Sequence, residues 1–400
     1  MDLRSGYPLS LIRNGIPFDY PKLEQDLRAD VAVIGAGISG ALTAYYLQQA
    51  GLDTVVIDGR TAGLGSTCAS TSLLLYEIDK PLHQLREQAG RHVADRVYEL
   101  SRDSVEGLGK LAGRIGFRNF HWADSLYIAS AGKRRFLEAE YSARRSLGLN
   151  VAWLDESGLM ELYGVKGEAA IVSAGAARTD AYEFAHAVHQ HNLSQGVRIF
   201  DRTAMGGFDI GRTDTRIVTT AGHLIRAKHL VFANGYEALE SLGKGLATVH
   251  STYVTASEQL TPEKLGKMQD FVLWDTAEPY HYIRSTSDNR ILIGGRDEPF
   301  YSPARRDRLL NRKAALLERD FQKMIPGVPF TREFNWTGSF VSSADGLPYI
   351  GMHPGLKRCY FALGFGGNGI NFAYLAAKLV AGLIAGKSGK DLALFSFNRR

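Results

Sequence analysis

Apolar and polar positions change rhythm along the chain, and the changes mark its elements. Residues 30–58 open with the apolar run in "DVAVIG", pass through "SGALTAYYLQQAG" and close on "DTVVIDG". This order predicts strand, helix, strand, with glycine at both changes of direction. Residues 82–150 carry longer, charged, mostly helical patterns, including "HVADRVYELSRDSVEGLGKLAGRI" and "GKRRFLEAEYSARRSLG". "GAARTDAYEFAHAVHQHNLSQG" reads as a turn and a helix, and "VRIFDRT", "DTRIVTTAG" and "HLIRAKHLVFANG" read as strands returning to the first unit. Strand signals dominate 250–299, where "PYHYIRSTSDNRILIGG" predicts a hairpin turning at "SDN". A basic amphipathic helix is predicted over 303–324. "DGLPYIG" then makes a tight turn before a closing strand, "RCYFALGFG", and a last helix.

Composition bounds what these elements build. A chain of 400 residues implies about two domains, and 45% apolar with 22% charged residues implies a globular fold. The formal charge of +5 comes from scattered basic residues, so no nucleic-acid partner is expected. Cys68 and Cys359 are too few for a disulfide framework or a cysteine-rich metal site, which fits a reducing compartment, and a cytoplasmic location is expected. The first residues contain only a four-residue apolar run before Arg13, a poor signal peptide. "INFAYLAAKLVAGLIAG" is interrupted by Lys378 and reads as a buried helix, so no transmembrane segment is expected.

Two glycine-rich turns carry the candidate chemistry. In "VAVIGAGISG", Gly35 allows the turn out of the strand, Gly37 lets the backbone approach a pyrophosphate, and Gly40 lets helix and strand pack closely. With Ile38 and Ser39 they present unpaired N–H groups at a helix start. Asp58, eighteen residues after Gly40 at the end of the next strand, is placed to accept hydrogen bonds from an adenosine ribose. Either FAD or NAD satisfies this much. The loop "GRTAGLGSTCASTS" adds main-chain and hydroxyl donors at Gly65, Ser66 and Thr67, more apparatus than a loosely held nicotinamide needs. The second turn, "GFGGNGI", has Gly366, Gly367, Asn368 and Gly369 before the last helix. Its N–H groups suit a negatively charged ring edge, with Asn368 able to cap the helix; a glycine turn without a ligand is the alternative.

The ordered set "DVAVIGAGISG", Asp58, "GLGSTCAS", "GAARTDAYEFAHAV", "HLVFANG", "DGLPYIG" and "GFGGNGI" resembles the D-amino acid oxidase-like (DAO) family of FAD-dependent oxidoreductases over nearly the whole chain. The resemblance implies α/β plus α+β architecture: an FAD-binding Rossmann-like domain with an interleaved substrate domain on a mainly antiparallel sheet. The divisions expected are 1–80, 161–248 and 334–400 for the FAD-binding domain, and 81–160 and 249–333 for the substrate domain. It implies hydride removal from the carbon beside an amine nitrogen, giving an imine that hydrolyses, with O2 or another acceptor reoxidising the flavin. Ala233, Gly235 and Gly338 join the cofactor contacts on the same ground. A quinone- or protein-linked dehydrogenase is the alternative, with a flavin-bearing RNA- or partner-modifying module behind it.

Several positions depart from that pattern. Family members acting on free amino acids carry arginines where this chain has Phe340 and Gly367, so it is expected to stand nearer to amine or γ-glutamylputrescine-type oxidases. The positions where relatives attach flavin covalently hold no cysteine near Gly338 and no histidine between 59 and 82, so FAD is expected to bind non-covalently. Leu292 stands where some relatives carry an oxygen-activating lysine. On the proposed hairpin, alternation puts Tyr280, Tyr282 and Arg284 on one face and His281 on the other. Tyr282, Arg284, His281 and Arg296 are the candidate catalytic residues, each equally able to be an ordinary sheet-face residue; Trp336 either walls the flavin or packs. His186, His189 and His191 lack a completing ligand set, and no metal is expected.

Overall fold

A computed structural model describes residues 2–242, 246–363, 366–387 and 389–399. Gly364 and Phe365, the first two residues of "GFGGNGI", lie outside the described residues.

The βαβ unit forms where the sequence placed it. Strands Leu27–Ile34 and Thr54–Ile57 pair in parallel around helix Ile38–Gln49. They sit inside a sheet that runs Tyr349–Met352, Cys359–Leu363, Leu224–Phe232, Leu27–Ile34, Thr54–Ile57, Arg198–Phe200. Thr215–Thr219 and Met205–Ile210 extend it from Leu224–Phe232. Its central strands are parallel and carry solid apolar runs, such as Val31–Ile34 and Thr54–Ile57, because both faces are covered. Helix Ile38–Gln49 is buried on most of its circumference: helices Ala181–Ser194 and Gly369–Ile384 pack against it, while it packs on the sheet.

The second sheet is longer and mainly antiparallel. Its order is Arg4–Gly6, Arg332–Ser343, Ala247–Ser257, Ile291–Glu298, Tyr282–Ser285, Phe271–Asp275, Phe120–Ile128, Ala169–Thr179, Leu73–Leu74, with Val151–Asp155 also on Ala169–Thr179. Phe271–Asp275 and Phe120–Ile128 form its one parallel pair among the described strands. The hairpin turning at "SDN" is present, with Tyr282–Ser285 paired to Ile291–Glu298. Helix Pro303–Met324 covers one face, burying Ala314, Leu317 and Phe321 at spacings of three and four, while Arg305, Arg308, Arg312, Arg319 and Lys323 face outward and Arg306 is buried.

Several strands were not legible in the sequence, Phe120–Ile128, Ala169–Thr179, Val151–Asp155 and Arg332–Ser343 among them. Phe120–Ile128 falls inside the stretch read as helical, and Ala169–Thr179 precedes the helix that was read correctly at Ala181–Ser194. Each is held by partners distant in sequence, so long-range pairing overrides a weak local pattern. The antiparallel sheet therefore takes residues 4–6, 73–74, 169–179 and most of 332–343 from stretches allotted to the cofactor domain.

A buried ion network braces the junction. Arg144 bonds Glu140 at 2.7 Å and Glu77 at 3.1 Å, all three side chains being fully buried. Glu140 also accepts N–H bonds from Leu82 and His83, fixing the start of helix Leu82–Ala89. Burial alone would raise the Glu140 carboxyl, but the Arg144 charge and the His83 bonds hold it down at about 2.

Phe321 packs against Phe330 beneath the antiparallel sheet, the rings tilted by 43°, and is fully buried. Phe321→Ala is expected to cost roughly 3–5 kcal/mol, seen as a lower urea midpoint. Arg312→Ala on the exposed face of the same helix should stay within about 0.5 kcal/mol of wild type.

Candidate functional site

A cavity of about 630 Å3 runs between the two sheets, within the roughly 300–1,000 Å3 range of ligand sites. At one end, strand Leu27–Ile34 delivers Gly35 in a left-handed turn (φ 111°) and Gly37 at the N-cap of the first helix. The glycines answer to sterics. A Cβ on Gly40 would overlap the Gly35 carbonyl, and one on Gly37 would lie 2.7 Å from Thr67 Oγ1. Gly40 is not a lining residue; its task is the close packing expected of it. The Ile38 N–H donates to Thr67 Oγ1 at 3.1 Å, joining the first loop to the "GLGSTCAS" loop.

Asp58 lines this end and accepts the N–H groups of Ala36 (2.7 Å) and Arg60 (2.8 Å), one on each oxygen. Burial pushes its carboxyl up against these two bonds. Its oxygens keep further lone pairs for a ligand. Arg60 and Glu237, paired at 2.5 Å, also line the cavity here. Ile38, Ser39, Gly65, Ser66, Thr67, Ala233 and Gly235 complete the wall.

At the other end, Gly366, Gly367, Asn368 and Gly369 face the cavity beside Gly338 and Phe340. Asn368 does not cap the last helix: its side chain donates to the carbonyls of Leu75 (3.1 Å) and Glu77 (2.7 Å). Asp79, which the sequence did not single out, fastens this loop. It accepts the Gly367 N–H at 2.7 Å and the Tyr280 hydroxyl at 3.0 Å. A Cβ on Gly367 would lie 2.6 Å from the same carboxylate. Burial raises the Asp79 carboxyl and these bonds oppose it.

The antiparallel sheet supplies the roof through Thr252, Val254, Trp274, Tyr280, Tyr282 and Asp297. Of the four candidate catalytic residues, Tyr282 lines the cavity, bonded to Thr252 Oγ1 at 2.9 Å. His281, Arg284 and Arg296 are not among the lining residues. His281 lies between Asp275 (2.8 Å) and Asp320 (3.1 Å). Burial would lower it, but the two carboxylates outweigh burial and raise it to about 9, so it is a fixed cation and no base. Arg284 is spent on the carbonyls of Thr71 and Ser285, with burial lowering it to about 9. Trp336 is in the core and donates to the Ala69 carbonyl at 2.9 Å.

Arg296 is displaced by a β-bulge. Ser251 pairs with Glu298 and Tyr253 with Gly295, so Arg296 and Asp297 together oppose Thr252. Simple alternation from Gly294 would aim Arg296 at the cavity. Instead Arg296 takes φ 58° and forks onto Asp320 with two bonds of 2.7 Å, and Asp297 faces the cavity in its stead. The glycine pair in "IGGRDE" was the available signal. The histidines of the middle helix are core residues: His186 bonds the Tyr20 hydroxyl and His189 the Ala36 carbonyl, and burial drives both down to about 4. No metal-binding group of side chains occurs among the described residues, and no helix is long and apolar enough to cross a membrane.

Comparison with known proteins agrees with this geometry. The family model "DAO: FAD dependent oxidoreductase" matches residues 30–383. Glycine oxidase of Geobacillus kaustophilus is 27% identical over 93% of this chain and 97% of its own. γ-Glutamylputrescine oxidoreductase of Escherichia coli is 23% identical over 96% and 89%. Among solved structures, that glycine oxidase superposes with a TM-score of 0.77 at 22% identity, covering 93% of this chain and 99% of its own. L-Proline dehydrogenase from P. horikoshii gives 0.77 at 20% identity, covering 94% and 97%. The expected leaning towards γ-glutamylputrescine-type enzymes is therefore corrected: a glycine oxidase, named for a free amino acid, is the more identical of the two relatives. Two missing arginines, at Phe340 and Gly367, were too local a feature to assign the subgroup.

The His281 pairs carry a pH signature. A cation raised from 6.5 to about 9 contributes stability that is complete below 6.5 and lost as pH rises through about 9. The Tm advantage of wild type over His281→Asn should be largest below pH 6.5 and shrink steadily up to pH 9.5.

Proposed function

The chain belongs to the DAO family of FAD dependent oxidoreductases, which bind FAD and oxidise a CH–NH or CH–NH2 group to an imine, and from this premise we propose how its cavity divides between cofactor and substrate. The adenosine rests at Asp58, with Arg60 and Glu237 beside it. The Gly37 and Ser39 N–H groups and the Gly65–Thr67 loop would hold the pyrophosphate, where the helix start favours negative charge; the Gly35, Ala36 and Ile38 N–H groups are already given to Ile57, Asp58 and Thr67. The flavin ring lies against Gly366–Gly369 and Gly338. Binding is non-covalent on this reading, because Cys68 Sγ is turned to the Gly65 carbonyl and Cys359 is buried in the parallel sheet. The substrate is a small amine-bearing molecule held beneath Tyr280, Tyr282 and Thr252.

One observation carries the reading: a single cavity connects both glycine loops and is roofed by the antiparallel sheet. Bound FAD supplies a two-electron acceptor for hydride. The chain's own residues orient and shield. The half-buried Tyr280 and Tyr282 hydroxyls stay protonated, raised well above the ordinary range by the desolvation of their site, and remain donors or acceptors for a bound amine. N–H groups at the start of helix Gly369–Ile384 would favour negative charge on the ring edge, the Gly367 N–H being given to Asp79.

A second reading concerns the electron acceptor. Reduction of O2 is helped by positive charge near the reacting ring, and the one basic residue among the described lining residues, Arg60, is at the adenosine end and paired with Glu237. A quinone or protein acceptor fits that distribution better than O2.

Purified protein is expected to be yellow, to release FAD on acid precipitation, and to bleach anaerobically with at least one of glycine, sarcosine, L-proline or butylamine. A colourless protein that FAD does not reconstitute sinks the reading. The bleached enzyme is expected to recover its absorbance at least tenfold faster with a soluble ubiquinone analogue than in air-saturated buffer; equal rates would make it an oxidase.

A further inference from the structure

The roof holds an acid whose capacity the protein leaves unused. Asp297 Oδ1 is buried without a hydrogen-bond partner, on a residue that the bulge turns into the cavity opposite Thr252. An unpaired buried carboxylate oxygen costs stability unless something else occupies it. Asp79 has both oxygens engaged by Gly367 and Tyr280, and Glu77, which also lines the cavity with an unpartnered Oε2, is fixed by Arg144 through Oε1. These acids are therefore not equivalent: Asp79 fastens the glycine loop, Glu77 is held by Arg144, and Asp297 lines the cavity with Oδ1 buried and unpartnered.

The reaction supplies a task for the free one. Hydride can leave a carbon only when the neighbouring nitrogen has a lone pair to push, yet small amines and amino acids carry ammonium near neutral pH. We propose that Asp297 is a catalytic base, docking the substrate's ammonium and taking its proton before hydride transfer. The steps balance. R2CH–NH3+ gives its proton to the Asp297 carboxylate, and the N–H bond pair stays on nitrogen as its lone pair. The C–H bond then breaks with both electrons leaving as hydride to FAD, the nitrogen lone pair forming C=N and giving the iminium ion. Water hydrolyses it to a carbonyl compound and ammonium. The inference rests on the cofactor and substrate placement proposed above.

The surroundings suit a base that works near neutrality. Burial, then the charge of Asp79, raise Asp297 to about 7, while Thr252, Lys313 and His281 pull it down. Lys313 is itself bonded to Glu298 (2.5 Å) and the Arg296 carbonyl, and His281 to Asp275 and Asp320, so neither cation competes for the cavity face. The Tyr280 and Tyr282 hydroxyls flank the acid without a charge of their own.

Anaerobic stopped-flow reduction of the holoenzyme, using the fastest reductant among glycine, sarcosine, L-proline and butylamine, tests this against pH. Wild type should slow as pH falls through about 7. Asp297→Asn should be about 100-fold slower at pH 7 and regain most of the rate by pH 10, where free amine is abundant. A readout independent of turnover is methylammonium binding to oxidised holoenzyme at pH 8, followed by the flavin spectrum. It should weaken about tenfold in Asp297→Asn, while acetate binding should not weaken. An unchanged pH profile with unchanged methylammonium affinity overturns the proposal. Where Asp297→Asn fails to retain FAD, Thr252→Val decides: removing the hydroxyl should move the wild-type inflection to higher pH, and an unmoved inflection overturns the proposal. Failure of the underlying placement reads differently, as wild-type holoenzyme that neither bleaches with any of the four reductants nor changes spectrum with methylammonium.

Discussion

Residues 66–79 thread between the two sheets with little regular structure of their own, and a buried segment of that kind must find partners for its backbone polar groups elsewhere. It finds them in the elements that build the site. Thr67 holds the first glycine loop and the Ala69 carbonyl takes the Trp336 indole. Thr71 takes Arg284, and Ser72 receives N–H groups from Thr179 and Ala181. The Leu75 and Glu77 carbonyls take Asn368, Leu75 also takes Asn371, and Asp79 closes on Gly367. The requirement that this strip be satisfied ties the parallel sheet, the antiparallel sheet and the last helix to a common floor. Asn368 and Arg284, which look available for chemistry in the sequence, are consumed by it.

Electrostatics follow the same division. Where charge is structural, it is paired: Arg144 between Glu77 and Glu140, His281 between Asp275 and Asp320, Arg296 on Asp320. Such buried pairs earn little net stability but are costly to break by halves. Asp297 differs: it lines the cavity with a buried, unpartnered oxygen and, unlike Glu77, has no arginine fixed on its other oxygen among the described contacts. An exception of this kind at a cavity wall is what a site needs, since unsatisfied groups are tolerated where a ligand completes them.

Relatives at 20–27% identity that cover nine-tenths or more of this chain share its architecture. In this chain that architecture rests on close packing and backbone geometry: the turn at Gly35, the contact at Gly40, the glycine loop against Asp79. This is why the absence of two arginines did not identify the nearer subgroup.

The sequence by itself determined the features that depend on neighbours in the chain. The dinucleotide loop needs glycine at fixed steps before a helix, the helix Pro303–Met324 follows its apolar spacing, and the hairpin turns where its polar residues cluster. Those residues could be named because sterics and periodicity act over a few positions. Tertiary structure alone decided that Phe120–Ile128 and Ala169–Thr179 are strands, that Asp79 fastens the second glycine loop, and that Asp297 rather than Arg296 faces the cavity. The last depends on two residues opposing one across strands some forty positions apart. Register between distant strands is a property of the pairing, and no local pattern encodes it.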